Sequence, residues 1–594
     1  MNVYAFGLLV SVLAYLLVGN YAGRKVKHLE DYFVAGRQAP TLLIVGTLVA
    51  SLMSTNAFMG EAGLAYSGFG MTTVILTAIN CIGYVAGALF FGKYLRRSRA
   101  LTLAEYFGQR FRSSRVQRVA GITIVLGCTG YLMTVSQGAA AIINEVTGLS
   151  FGVTLLLAWA SYTLFTLYSG SRGVVITDTM MFFLFGVVSF VGLAYIVEGS
   201  GGWFATIKAL AVFEAKPGII SWHGMTGPGQ TWETHAEVLT YAIILGVAWS
   251  IVVAVSPWQA SRYLMAKDEH TVIRAGVITA GVLILLYIAL GIFGSAINLL
   301  NPNIEPAQEN MIWAAMNAMP TFAGVLMMSG IMAAALSSAS TFLSLTGFSV
   351  SNDVFPSSST QGESRLRRSR YAMLGMSLVA LILAWFVPQG YLYWIVYFVG
   401  TLFASSWGPV AFMSVWSRRI TEAAAFWGII TGLLGNIGAS LLRVLDIVDL
   451  PVILDPILIG ALISYLTIEI VSRAGVVTPE EHALREKMHV TPESELDSAK
   501  LHRTLMWSRA LIVFGVVLTV LLIVLYAIPY QQAIDEAGLA VIRETGMMSG
   551  EMILSICIGL AMVVSGALAY RGAVRSFSRG NSKSSRVRDK SQSL

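Results

Sequence analysis

Apolar blocks of about twenty residues recur along the whole 594-residue chain, separated by short polar or basic stretches. A helix needs ~20 apolar residues to cross the hydrocarbon core of a bilayer. The pattern therefore predicts fifteen spanning helices, near 3–20, 41–65, 71–95, 117–144, 151–169, 173–197, 236–258, 272–297, 321–350, 370–388, 390–416, 422–443, 451–472, 508–528 and 551–570. The opening MNVYAFGLL lacks a positively charged leader, and no small-residue cleavage site precedes GRKVKHLEDYF, so the first block reads as a retained helix.

Composition agrees with the pattern: 56% of the residues are apolar and 12% charged, about half the ~25% charge of a soluble domain. Basic loops stay in the cytoplasm. With the amino terminus outside and fifteen alternating spans, the outward loops hold only Lys208, Lys216, Arg443 and Arg543, leaving the other 35 of 39 basic residues inside. The carboxyl terminus is then cytoplasmic, as expected for a bacterial inner membrane protein. The net charge of +7 reflects this topology and attraction to anionic headgroups of the lipid bilayer, and it makes no case for nucleic acid. Cys81, Cys128 and Cys557 lie inside apolar blocks without ligand spacing, so packing is their expected role. No soluble segment exceeds about forty residues, fewer than the ~50 a catalytic domain needs, so no enzyme is expected. The charged loop 473–507 reads as a solvated helical linker, and the basic tail 573–594 as disordered.

Chemistry must therefore lie among polar groups inside the spans. In AAALSSASTFLSLTG, 333–347, helical spacing puts Ser337, Ser340, Thr341 and Ser344 on one stripe, with Ser338 beside it. Asp178 lies about six residues past the inner end of its span, roughly 9 Å deep by helical rise. Thr341 is roughly 13 Å deep by the same measure. A buried carboxylate is a functional signal because its burial costs at least ~2.5–3.5 kcal/mol, and with hydroxyls at its level it suits a small hard cation. The bland reading is that the hydroxyls bond back to carbonyls or let helices pack, with Asp178 a helix cap. Glu61, nearer an outer helix end, is a weaker candidate.

A second irregularity falls in TLVASLMSTNAFMGEAG, 47–63, where Ser54, Thr55, Asn56, Gly60 and Gly63 weaken a helix at mid-span. Transporters use such broken helices, whose freed carbonyls bind coupling ions. Spans two to six (41–197) and seven to eleven (236–416) start from opposite sides of the membrane, as an inverted repeat requires.

DYFVAGR (31–37), ASLMSTNAFMG, LTLAEYFGQRF, YSGSRGVVITD and SRYLMAKDE (261–269) together resemble the sodium/solute symporter family. The resemblance runs to about residue 420. It implies an all-α, multi-pass fold with a leucine-transporter-type five-plus-five inverted-repeat core, and a secondary active transporter that couples inward sodium flow to uptake of a small organic solute by alternating access. Sodium ion is the implied coupling ion, and no obligatory protein partner is evident. The implied units are a leading helix and inner loop (1–40), a first repeat (41–198), an outer loop (199–235), a second repeat (236–418), additional transmembrane helices (419–572) and the tail.

The resemblance implies a first sodium site of Ala50, Met53 and Ala334 carbonyls with Ser337 and Ser338 hydroxyls. It implies a second, found in some members, of Asp178, Ser337, Ser340 and Thr341. Sugar-ligand positions fall on Asn56, Ala57 and Leu76 and near Trp249 and Val252, and the proline branch's aspartate falls on Leu52, so neither a sugar nor proline is the expected solute. GTLVASLMSTNAFMGEAGLAYSGFG looks closer to the pantothenate and monocarboxylate branch, which makes an organic anion such as a carboxylate the expectation. Candidate solute contacts are Ser54, Thr55 and Asn56, with Tyr131, Thr134 and Gln137 if that helix face lines the cavity; packing is the alternative for those three. A passive channel would need a continuous polar pore, and a membrane sensor a signalling domain; the sequence shows neither.

Overall fold

Inside a bilayer every backbone polar group needs an internal partner, which favours helices throughout. The computed structural model describes residues 2–356, 362–388, 392–448, 450–539 and 548–592, with side chains in the last segment described to Ser578. The principal helices are α1 (Val3–Gly23), α2 (Thr41–Leu52), α3 (Gly70–Gly87), α4 (Ser114–Thr147), α5 (Phe151–Gly199), α6 (His235–Val255), α7 (Pro257–Met265), α8 (Glu269–Ala296), α9 (Thr321–Phe348), α10 (Gly362–Phe386), α11 (Leu392–Trp416), α12 (Glu422–Val444), α13 (Pro456–Ala474), α14 (Ser498–Leu522) and α15 (Gly550–Gln592). Among the described residues the only β pairing is an isolated parallel bridge between Ala39 and Ala266.

Thirteen described helices are long and apolar enough to cross a membrane. Two of these are compound. The 49-residue α5 is bent at Gly170, whose φ of 54° and ψ of −156° only glycine adopts freely, and a side chain there would strike the Tyr32 ring. The continuous stretch Asn56–Ser98 turns at Gly68, φ 110°, so its first part completes the span that α2 begins. Divided at these two glycines, the described helices account for all fifteen expected spans.

The repeats open alike. α2 stops at Leu52, Met53 leaves helical geometry (φ −74°, ψ 72°), and the chain resumes as a wider π-helical turn over Asn56–Glu61. The second repeat also opens on a broken helix: α6 ends at Val255, Ser256 is extended (φ −63°, ψ 148°), and α7 begins on Pro257. Proline starts a helix without losing a hydrogen bond but cannot continue one. The sequence reading found the first break and ran the second into a continuous span.

The two broken helices are fastened together at their Ala39 and Ala266 ends. The Ala39 amide donates to the Met265 carbonyl (3.1 Å), and the Lys267 amide donates to Ala39 (3.1 Å). Buried Arg37 adds bonds to the carbonyls of Leu264, Arg99 and Ala100.

The loop 473–507 is docked, a correction to the solvated linker expected from its charge. Its helix Pro479–Met488 is capped by Thr478. Arg485 and His489 both engage the Val415 carbonyl (3.1 and 2.9 Å), while Arg110 reaches the carbonyls of Ser414 and Glu481. The end of α11 leaves carbonyls without helical partners, and the two arginines and the His489 ring satisfy them. Burial, reinforced by the neighbouring Glu269 carboxylate, holds Glu495 above the usual carboxylate range. α15 continues as helix to Gln592.

Candidate functional site

Asp178 is fully buried on α5 and ties three helices together. Thr47 Oγ1 of α2 donates to Asp178 Oδ2 at 2.5 Å, and Ser337 Oγ of α9 donates to Oδ1 at 2.7 Å. The close approach of α2 to α5 requires Gly46, where a Cβ would fall 2.8 Å from the Thr179 Cα. Arg262 of α7 completes the cluster. Its Nη2 lies 3.6 Å from Asp178 Oδ2 and donates to Thr341 Oγ1 at 2.6 Å. The sequence reading missed Arg262, because it lies past the end expected for its span and close to the charged run Lys267–Glu269.

The five hydroxyls of the stripe divide by partner. Ser340 and Ser344 donate to the carbonyls of Ser337 and Ser340 (both 2.8 Å), the back-bonding that the bland reading anticipates. Ser337 engages Asp178, and Thr341 accepts from Arg262. Ser338 is fully buried, and its Oγ has no hydrogen-bond partner among the described residues. Gln259 of α7 donates to Ser51 Oγ (3.2 Å) at the end of α2, and its Oε1 is buried without a partner. The elements carrying Ala50, Met53, Ala334, Ser337, Ser338, Asp178, Ser340 and Thr341 thus meet in one place.

The candidate solute contacts fall into two groups. Ser54 Oγ lies 3.2 Å from Tyr131 OH and accepts from the Asn56 amide at 3.0 Å. Tyr131 stacks on Phe342 (centroids 4.0 Å apart) and meets Trp258 edge-on, so an aromatic layer lies against the break in α2. Thr134 and Gln137 line a cavity of about 80 Å³ with Met59, Pro306, Gln308 and Glu309. Gln137 spends its amide nitrogen on the carbonyls of Ala384 and Val387, and Thr134 bonds back to Tyr131. At the start and along the resumed helix, Thr55 Oγ1, Asn56 Oδ1 and Glu61 Oε2 are buried without a hydrogen-bond partner among the described residues.

Residues 32–432, more than half the chain, match the profile of the sodium:solute symporter family. The chain belongs to that family. It is a sodium-coupled transporter of a small organic solute, a multi-pass integral membrane protein and not an enzyme. The chain is 24% identical to the sodium/pantothenate symporter of Escherichia coli (strain K12), over 80% of this chain and 98% of that protein. It is 25% identical to the sodium/proline symporter of Salmonella typhimurium, over 72% of this chain and 85% of that one. Among solved structures it superposes on a sodium-coupled sialic acid symporter with a TM-score of 0.68 and 18% identity, covering 80% of this chain and 99% of the other. The sodium:solute symporter fold of this chain is therefore a leucine-transporter-type core of two five-helix repeats.

Proposed function

We propose that the symporter binds sodium between the break in α2 and the hydroxyls of α9, and couples it to uptake of a small organic carboxylate. The buried, unpartnered Ser338 hydroxyl carries this reading. A fully buried hydroxyl without a partner costs about 1–3 kcal/mol, and a sodium ion supplies one. Register supports it. α2 and α9 cross in opposite directions, so from the Thr47–Asp178–Ser337 level three residues forward on α2 and three back on α9 rise together by about 4.5 Å. That brings Ala50 level with Ala334, at the break that opens at Met53. Asp178, Ser337, Ser340 and Thr341 form the second sodium site of this proposal.

For the solute, pantothenate, proline and sialic acid are all carboxylates, and an adjacent sodium offsets an anion's charge. The unpartnered acceptors at Thr55, Asn56 and Glu61 favour a molecule that also presents N–H or O–H donors. The basic loops favour an amino terminus outside and a cytoplasmic carboxyl terminus in a bacterial inner membrane.

The test is thermal stabilisation of the purified transporter by a panel of carboxylates and their neutral amides, in sodium and in choline. A bound ligand raises stability by its mass-action term. A carboxylate that stabilises in sodium alone, with its amide inactive, is the expected result. Equal stabilisation by the amide would reject the anion assignment.

A further inference from the structure

We propose that Arg262 is a tethered cation that holds Asp178 while the second sodium site is empty and is displaced toward Asp353 when sodium enters. The inference rests on the reading of Asp178 and Thr341 as sodium ligands. Arg262 already occupies both: one nitrogen reaches Thr341 at 2.6 Å and lies 3.6 Å from the carboxylate. All three side chains are buried. A sodium ion on the same oxygens would sit within a few ångströms of the guanidinium, with little solvent to screen the two positive charges. Both cations cannot hold Asp178 at once in this geometry.

The guanidinium is poorly held. An arginine secured to a carboxylate pairs through two parallel N–H bonds of about 2.7–2.9 Å. Here Nε is buried with no partner among the described residues, Nη1 has a 3.4 Å contact with Ser261, and the distance to Asp178 exceeds a hydrogen bond. Such a group has more to gain from moving than a bidentate pair has.

A second carboxylate lines the same cavity. Arg262, Ser261, Thr341 and Ser344 line a small cavity together with Thr102 and Asp353. Asp353 is buried and held by neutral donors: Thr102 at 2.8 Å, Gln117 at 3.0 Å, Asn352 at 2.9 Å and Ser349 at 3.0 Å. No ion pair reaches it among the described residues. One arginine thus pairs with one buried carboxylate and shares a cavity with another, and a sodium ion on the first makes the second its better partner. The Asp353 bonds join the end of α9 to Thr102 and to α4, in the first repeat. Arrival of a cation there competes with those bonds.

The experiment measures sodium dependence of uptake and direct sodium binding in proteoliposomes for the full chain. Arg262→Gln removes the competitor, so half-maximal sodium should fall by about tenfold or more, and Arg262→Lys should stay near the wild type. In Asp178→Asn the effect of Arg262→Gln should vanish. Asp353→Asn removes the receiving charge and should raise half-maximal sodium. An unchanged or raised value in a well-folded Arg262→Gln protein, with Asp178→Asn still altering sodium dependence, overturns the arginine proposal and spares the second site. No effect of Asp178→Asn instead overturns the second site. Should the arginine variants fail to fold, Leu101→Cys, on the wall of the same cavity, is labelled in a protein lacking Cys81, Cys128 and Cys557. Labelling must differ between sodium and choline, and a rate independent of sodium rejects the displacement.

Discussion

Thr47 and Asp178, 131 residues apart in the chain, are joined by a hydrogen bond of 2.5 Å in the interior of the transporter. The bond sets the level at which α2 and α5 cross. With Ser337 on the other carboxylate oxygen it also sets α9, and the predictions about sodium follow from that register.

Ser338→Ala removes one hydroxyl from the proposed first site and leaves Asp178 and its partners intact. Losing a buried coordinating group costs ~1–3 kcal/mol, roughly five- to a hundredfold in sodium affinity. Half-maximal sodium for uptake should rise by that factor, with the Hill coefficient unchanged. Uptake kinetics over a sodium titration check this, and a silent variant removes Ser338 from the site.

Asp178→Asn takes the charge from the second site. The Hill coefficient for sodium and the charge moved per solute should both fall, with residual uptake driven by one sodium. Electrophysiology on solid-supported membranes reads the charge directly. Complete loss of sodium binding in this variant beside normal binding in Ser338→Ala would invert the assignment of the primary site.

Arg97 and Glu269 form a buried pair at 2.5 Å, each side chain 7% exposed, and Arg97 also binds the Met488 carbonyl of the docked loop at 2.7 Å. Arg97→Ala leaves Glu269 buried and unpaired, which costs about 3–5 kcal/mol. Thermal unfolding in detergent should show a clear loss. Joint replacement with Glu269→Leu should recover most of it, because the stranded charge is gone.

A cysteine placed at position 590, in a chain stripped of its native cysteines, should resist impermeant thiol reagents applied to intact cells and react after permeabilisation. The motivation is the basic run from Arg571 to Lys590. Labelling from outside intact cells rejects the proposed orientation.

What the sequence alone determined was everything that depends on local chemistry. Block length and low charge specified spanning helices, because a bilayer offers the backbone no other partner. The Ser54–Thr55–Asn56 run marked the first helix break, and the hydroxyl stripe and Asp178 marked the proposed site, because polar groups in hydrocarbon are costly enough to need a reason. Only the tertiary structure decided how those groups are shared. Helical spacing put Ser337, Ser340 and Thr341 on one face, but not that Ser340 turns back to its own helix while Thr341 receives Arg262 from a segment eighty residues earlier. The charged loop 473–507 reads as solvated because its partners are carbonyls at the end of α11, which every residue carries and no sequence pattern reveals. Hydrophobic period and helix breaks are written in near neighbours; partner choice among buried polar groups depends on which distant helices come within three ångströms, and packing alone settles that.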